Sequence, residues 1–146
     1  MQISNKSFEI FLIEDNQGDF GLVEEFFNNS KFRANLHIIE DGEEAIHFLC
    51  GENKFLGSQR PDIIILDWNL PKKTGHEVLK EIKENSNVKN IPVIIFTTSS
   101  AEKDILRAYD LHANAYIVKP IDFDEFMKAI GSIENFWLET LTLPPK

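Results

Sequence analysis

The sequence predicts an α/β fold: an open, doubly wound sheet of five parallel strands in a (βα)5 pattern. Three features carry that reading. Five short apolar runs have strand length, amphipathic helical stretches lie between them, and the strongest runs show no polar alternation. Strands without alternation are buried on both faces, as in a parallel sheet covered by helices.

The elements follow in order. Phe8-Glu9-Ile10-Phe11-Leu12-Ile13 is a first strand rich in β-formers. Phe20, Val23 and Phe27 share one face of a first helix by their i, i+3, i+7 spacing. Leu36-His37-Ile38-Ile39 is a weaker second strand, and Ala45, Ile46 and Leu49 stripe the second helix. An extended loop with Gly51, Gly57, Ser58 and Pro61 precedes the third strand, Asp62-Ile63-Ile64-Ile65-Leu66. Val78, Leu79 and Ile82 mark the third helix, and Pro92-Val93-Ile94-Ile95-Phe96 the fourth strand. Ile105, Leu106 and Tyr109 form the apolar stripe expected of the fourth helix, with Ser99 or Ser100 as its cap. Ala115-Tyr116-Ile117-Val118 is the fifth strand. Asp122 then caps a fifth helix whose stripe is Phe126, Ile130, Ile133 and Trp137.

Composition narrows the function classes. A chain of 146 residues suits one domain, residues 1–146, with a core over about 8–137 and an apolar tail over 138–146. The single Cys50 cannot form an intrachain bridge and reads as a partly buried helix thiol. Net charge −9 argues against nucleic acid or an anionic membrane as partner. No apolar run is long enough to span a bilayer, and Met1-Gln2-Ile3-Ser4-Asn5-Lys6 is not a signal peptide. The expected location is the cytoplasm. His37, His47, His76 and His112 are scattered with no metal-ligand spacing, and no G-x-S-x-G or Gly-rich phosphate loop is present.

Chemistry collects at the strand ends, where ligands bind in open α/β sheets. The first strand ends in Glu14-Asp15, the third in Asp67, the fourth in Thr97-Thr98-Ser99 and the fifth in Lys119-Pro120. Three carboxylates in one site repel one another unless a cation intervenes. Mg²⁺ suits such an oxygen set, leaves a carboxylate free as nucleophile and neutralises charge on a transferring phosphoryl group. Lys119 adds a second positive charge and Thr97 a hydroxyl donor. These residue types point to an aspartyl-phosphate site.

The ordered set resembles the receiver domain of two-component response regulators, which implies a flavodoxin-like receiver fold. The resemblance spans about residues 8–135. It rests on Glu14-Asp15, the run Asp67-Trp68-Asn69-Leu70-Pro71 with Gly75, then Thr97, Tyr116 and Lys119-Pro120. It implies that Asp67 accepts a phosphoryl group from a phosphohistidine on a sensor histidine kinase. Mg²⁺ is implied to sit on Asp15, Asp67 and the backbone carbonyl of Asn69, with help from Glu14 through water. Lys119 is implied to pair with Asp67 and then with the phosphoryl group, presented by a cis peptide before Pro120. The resemblance also implies that Thr97 swings towards the phosphoryl oxygen and that Tyr116 moves inward, exposing a new surface on the fourth and fifth helices. Asn69 and Ser99 tune hydrolysis of the acyl phosphate.

The chain departs from the family pattern in two places. Thr98 stands where the family usually has Ala or Gly, which narrows access to the acyl phosphate. The separation of Asp15 and Asp67 is also longer than usual, through the Gly51–Pro61 loop. That loop and the ending Phe136-Trp137-Leu138 are similar to stand-alone regulators that partner phytochrome-type sensor kinases. Read singly, the residues have plainer roles. Asp67 caps a turn, Glu14-Asp15 is a solvated turn before a helix, Lys119 is a surface lysine, and Tyr116 is core. Their order is what outweighs those readings. Trp137, Leu138, Leu141 and Leu143 either pack back on the fifth helix or, with the fourth and fifth helices, form a homodimer surface. An aspartate-nucleophile phosphohydrolase of the haloacid dehalogenase type needs an acid where Asn69 stands. A receiver-fold adaptor that works without phosphorylation is the remaining alternative.

Overall fold

Strand β1 (Ser7–Ile13), β3 (Ile63–Leu66) and β4 (Val93–Thr97) are buried along almost their whole length, whereas β2 (Arg33–Ile39) and β5 (Ala115–Val118) are only partly covered. Position in the sheet explains the difference. The order is β2-β1-β3-β4-β5 with every neighbouring pair parallel, so β2 and β5 are the edges. Successive strands are joined through α1 (Gln17–Asn28), α2 (Gly42–Cys50), α3 (Gly75–Glu84) and α4 (Glu102–Asp110), and α5 (Phe123–Ile133) follows the last. The computed structural model describes residues 7–51 and 60–145. Residues 52–59 of the expected loop, the first six residues and Lys146 lie outside the described residues.

Side chains alternate across the sheet and build two apolar layers. Phe11, Ile13, Ile64, Leu66, Val93 and Ile95 face α2 and α3, whose Ala45, Leu49, Val78, Leu79 and Ile82 are fully buried. Ile10, Leu12, Ile63, Ile65, Ile94 and Phe96 face α1 and α5, against Val23, Phe27, Phe126, Ile130 and Ile133. Capping sets where the helices start. Asn16, Asp41, Thr74 and Asp122 each accept a backbone N–H of the first turn, and Thr74 and Glu77 form a reciprocal capping box. Among the described residues, no helix is long and apolar enough to cross a membrane.

Three expectations need correction. The fourth-helix stripe is wrong: Leu106 and Tyr109 are 61% and 49% exposed, and Ala108 is the α4 residue that reaches the core. A helix face is set by what it packs on, and here the inward position carries the smallest apolar side chain. No serine caps α4 either; its N-cap is Ala101 without a side-chain bond, and the Ser99 hydroxyl donates to Asp104 while accepting the N–H of Ala101 ahead of the helix. The Lys119–Pro120 peptide is trans, as no cis bond occurs among the described residues. Trans is the intrinsically favoured state of an X–Pro bond, by roughly 0.5–1 kcal/mol.

The tail largely takes the first of its two expected placements. After Ile133 the helix widens into a π-helical segment, Glu134–Thr140, in which Leu141 N–H donates to Phe136 O, five residues back. Trp137 and Leu138 are both buried there in the α1–α5 layer, and Leu143 packs against it. Ion pairing of Lys31 with Glu139 (2.9 Å) and a hydrogen bond from Ser30 to Glu134 tie the segment to the end of α1.

Candidate functional site

The parallel ladder extends one residue past the strands and pins the backbone of each site residue. Glu14 N–H donates to Ile39 O (2.9 Å), Asp67 N–H to Ile13 O (3.0 Å) and Lys119 N–H to Thr97 O (2.7 Å). β1 and β3 are neighbours, and the strand order reverses between them, so Glu14-Asp15 and Asp67 flank the point where an open sheet forms its crevice.

Lys119 is the hub. Its ammonium is buried and donates to Glu14 Oε1 at 2.5 Å, Asp19 Oδ2 at 2.8 Å and Asp67 Oδ2 at 3.1 Å. The remaining oxygens have partners too. Asn16 N–H donates to Glu14 Oε2 (3.1 Å), and Asn69 N–H to Asp67 Oδ1 (3.2 Å). Burial opposes the charge on Lys119, but the bonds to Asp19 and Glu14 and the charge of Asp67 outweigh it, holding the ammonium above its ordinary range. Burial pushes the Glu14 carboxyl from 4.5 up to about 7; the Lys119 hydrogen bond opposes this and the charge of Asp67 adds to it. Three carboxyl groups, those of Glu14, Asp19 and Asp67, therefore share one ammonium.

Such crowding fits a hard divalent cation. One carboxylate oxygen from each of Glu14, Asp15 and Asp67 lies within 4.8 Å of the others. Asp15 is exposed and Glu14 buried, so the group opens to solvent on one side. Oxygen donors alone, with room for water, match Mg²⁺ or a similar ion. The hydrogen bond from Asn69 holds the backbone that follows Asp67 against its carboxylate.

Around this centre sit the other expected residues. Thr97 is fully buried at the end of β4, and Thr98 is exposed. Thr98 lines a cleft of about 340 Å³ with Asn16, Asp19, Lys119, Pro120 and Phe123. Tyr116 is half-buried, and its hydroxyl donates to Ser99 O at 2.9 Å, so it is already turned onto the β4–α4 loop. A larger cavity, about 630 Å³, lies beside edge strand β2, lined by Glu9, Glu24, Asn35 and His37; none of the residues at the strand ends reaches it.

Asp19 is the site residue that sequence reasoning missed. It occupies the first turn of α1, where an acid is ordinary because it complements the helix dipole. The readable signal was its spacing. Asn16 caps α1 and accepts Asp19 N–H (2.9 Å), which fixes the turn that aims the Asp19 carboxylate at Lys119.

Gly75 has a steric cause. It begins α3 directly against the loop after β3, and a Cβ there would sit 2.3 Å from Asp67 O and 2.6 Å from Trp68 Cα. Gly75→Ala is expected to destabilise the protein by about 3 kcal/mol in urea unfolding, since both clashing atoms are backbone. A change within 0.5 kcal/mol of wild type would show that the loop yields freely.

Comparison with known proteins places the whole chain in a family. A family model described as the response regulator receiver domain matches residues 10–131. Response regulator Rcp1 of Synechocystis sp. is 45% identical over 141 residues, 97% of this chain and 96% of Rcp1. The crystal structure of the phosphorylated cyanobacterial phytochrome response regulator RcpA superposes with a TM-score of 0.90 at 44% identity, covering 96% of this chain and all of that one. The Mn²⁺-bound form of Rcp1 gives 0.88 at 44% identity, over 94% and 99% of the two chains.

Proposed function

The chain belongs to the response regulator receiver domain family, and from that premise we propose that Asp67 is its phosphoacceptor, served by Lys119 and Thr97 in a Mg²⁺-dependent transfer. The observation that carries the proposal is the bond from the buried Lys119 ammonium to Asp67, beside a carboxylate group fit for a cation.

In the transfer, an Asp67 carboxylate oxygen attacks the phosphorus of a phosphohistidine on a sensor histidine kinase. The N–P bond breaks in line, and an acyl phosphate forms on Asp67. Asp15, Asp67 and the Asn69 carbonyl, with Glu14 through water, would hold the cation, which would neutralise charge on the phosphoryl oxygens. Lys119 stabilises charge on the same oxygens, and Thr97 offers its hydroxyl from the end of β4. Asn69, which bonds Asp67, Thr98, which lines the cleft beside Lys119, and Ser99, bonded to Thr97, are proposed to govern how water reaches the acyl phosphate.

A phytochrome-type kinase is the proposed donor, in the cytoplasm, because the similar RcpA is described as a cyanobacterial phytochrome response regulator. Output is proposed to pass by protein contacts. Incubation with acetyl phosphate and Mg²⁺ tests the reading. One phosphoryl should be gained, and reduction by borohydride should convert residue 67 to homoserine. No gain, with no beryllofluoride complex either, would favour the phosphorylation-independent adaptor.

Self-association is proposed through α4, α5 and the residues before α5. Leu106, Tyr109, Ile121 and Phe123 are exposed there, whereas Trp137 and Leu138 at the start of the tail are buried. Sedimentation at micromolar concentration should show a dimer that Ile121→Asp dissolves and tail deletion weakens less; a wild-type monomer would end the idea.

A further inference from the structure

We propose that Asp104, in the first turn of α4, is a positioning residue of the switch: it holds Ser99 so that the Ser99 carbonyl meets the Tyr116 hydroxyl before any phosphoryl group arrives. The inference rests on the phosphoacceptor reading above and adds to it a residue outside the strand-end set.

Ser99 is tied to its surroundings through all of its polar groups. Its hydroxyl donates to Asp104 Oδ2 at 2.5 Å and accepts from Ala101 N–H at 3.4 Å. Its N–H donates to Thr97 Oγ1 at 3.5 Å, and its carbonyl accepts from Tyr116 at 2.9 Å. The two ends of the switch, Thr97 and Tyr116, thus meet at one residue. The contact to Thr97 is at the limit of a hydrogen bond and that to Asp104 is short and charge-assisted. When Thr97 turns towards a phosphoryl oxygen, Ser99 loses its weakest tie and keeps its strongest.

An acid in a first helical turn ordinarily serves the helix dipole or caps N–H groups. Asp104 instead turns its Oδ2 to Ser99, and α4 starts at Ala101 with no side-chain cap. Ala108 is the α4 residue that is fully buried, so packing alone holds this helix lightly. The Ser99–Asp104 bond therefore couples the loop to α4 where the core does little. Burial, with the charges of Asp104 and Asp67 acting against the Ser99 bond, holds the Tyr116 phenol above its usual range, so it remains a donor.

The test uses the full chain carrying ¹³C at the ζ carbon of tyrosine, because only Tyr109 and Tyr116 contribute. Tyr116→Phe assigns the signals, and exposed Tyr109 serves as the solvent reference. Asp104→Ala should move the Tyr116 signal towards that reference, lowering the bonded fraction roughly tenfold. Ser99→Ala should do the same, and the double variant should go no further. Asp104→Asn should restore the wild-type signal, since its amide oxygen accepts the same bond; a merely structural role would not predict that rescue. An unmoved signal in Asp104→Ala, or failure of the Asn rescue in a folded variant, overturns the proposal. Each variant is also incubated with acetyl phosphate. Label without the tyrosine shift refutes Asp104 alone, whereas absence of label in wild type with the shift intact refutes the phosphoacceptor reading.

Discussion

Asp67→Asn is expected to take up no phosphoryl group, and yet to be more stable than wild type when divalent cations are chelated. The amide keeps the shape of the side chain, and its one oxygen can still accept from Lys119 while the contact with Asn69 N–H is given up, but it is not a nucleophile of comparable strength. It also removes one charge from a crowded carboxylate group. Lys119 retains Glu14 and Asp19, so its ammonium stays paired. The pH dependence follows from Glu14, whose carboxyl is raised from 4.5 to about 7 by burial, with the charge of Asp67 as a contributor. A carboxyl raised by folding contributes stability that is fully present below pH 4.5 and lost as pH rises through about 7. Without the Asp67 charge that loss shrinks, so the advantage of the variant should grow from pH 5.5 to pH 8, reaching on the order of 1 kcal/mol. Added Mg²⁺ should reverse the ranking by stabilising the wild type more. Full acid-labile label in the Asn variant would refute the acceptor assignment. A variant less stable than wild type at pH 8 under chelation would refute the crowding.

Lys119→Met should slow labelling by roughly a hundredfold, the effect of deleting one preorganised donor to a developing anion, without abolishing it. Asp67 and the cation-binding carboxylates remain. Its stability effect has the opposite sign to that of Asp67→Asn, because Glu14 and Asp67 are buried and lose their shared counter-charge. Breaking such a pair costs about 3–5 kcal/mol when the partner stays ionised. Glu14 can relieve part of that by taking a proton, so the loss should be larger at pH 8 than at pH 6. Divalent cation should restore stability more than it does in wild type. Urea unfolding at both pH values, with and without Mg²⁺, reads both effects. An undiminished labelling rate would remove Lys119 from the transfer.

The elements and the polar residues at the strand ends were legible because they depend on local pattern. Buried parallel strands cannot alternate, so β1, β3 and β4 announce themselves as apolar runs. Asp67 and Lys119 stand at strand ends, and a ladder register carries them to one rim wherever the intervening helices lie. Asp19 was overlooked despite its spacing from the Asn16 cap, since an acid in a first helical turn has an ordinary explanation that needs no partner. The α4 stripe misled for a related reason: Leu106 and Tyr109 are large and apolar, but face is decided by neighbours, and the neighbour here admits Ala108. Ser99 likewise has two partners in reach, helix N–H groups and Asp104, and spacing alone does not choose between them.

By itself, the sequence determined the five strands and helices, the two-sided burial of the sheet, and the residue types at the strand ends, because backbone periodicity and turn chemistry act over a few residues. Tertiary structure alone decided which groups share charge. One lysine meets Glu14, Asp19 and Asp67 only because the sheet order sets β1 beside β3 and the start of α1 above them. It also decided that the tail turns Trp137 and Leu138 inward, and that Tyr116 already rests on Ser99. Pairing and packing depend on distance in space, and the chain separates by a hundred residues the groups that the fold brings within 3 Å.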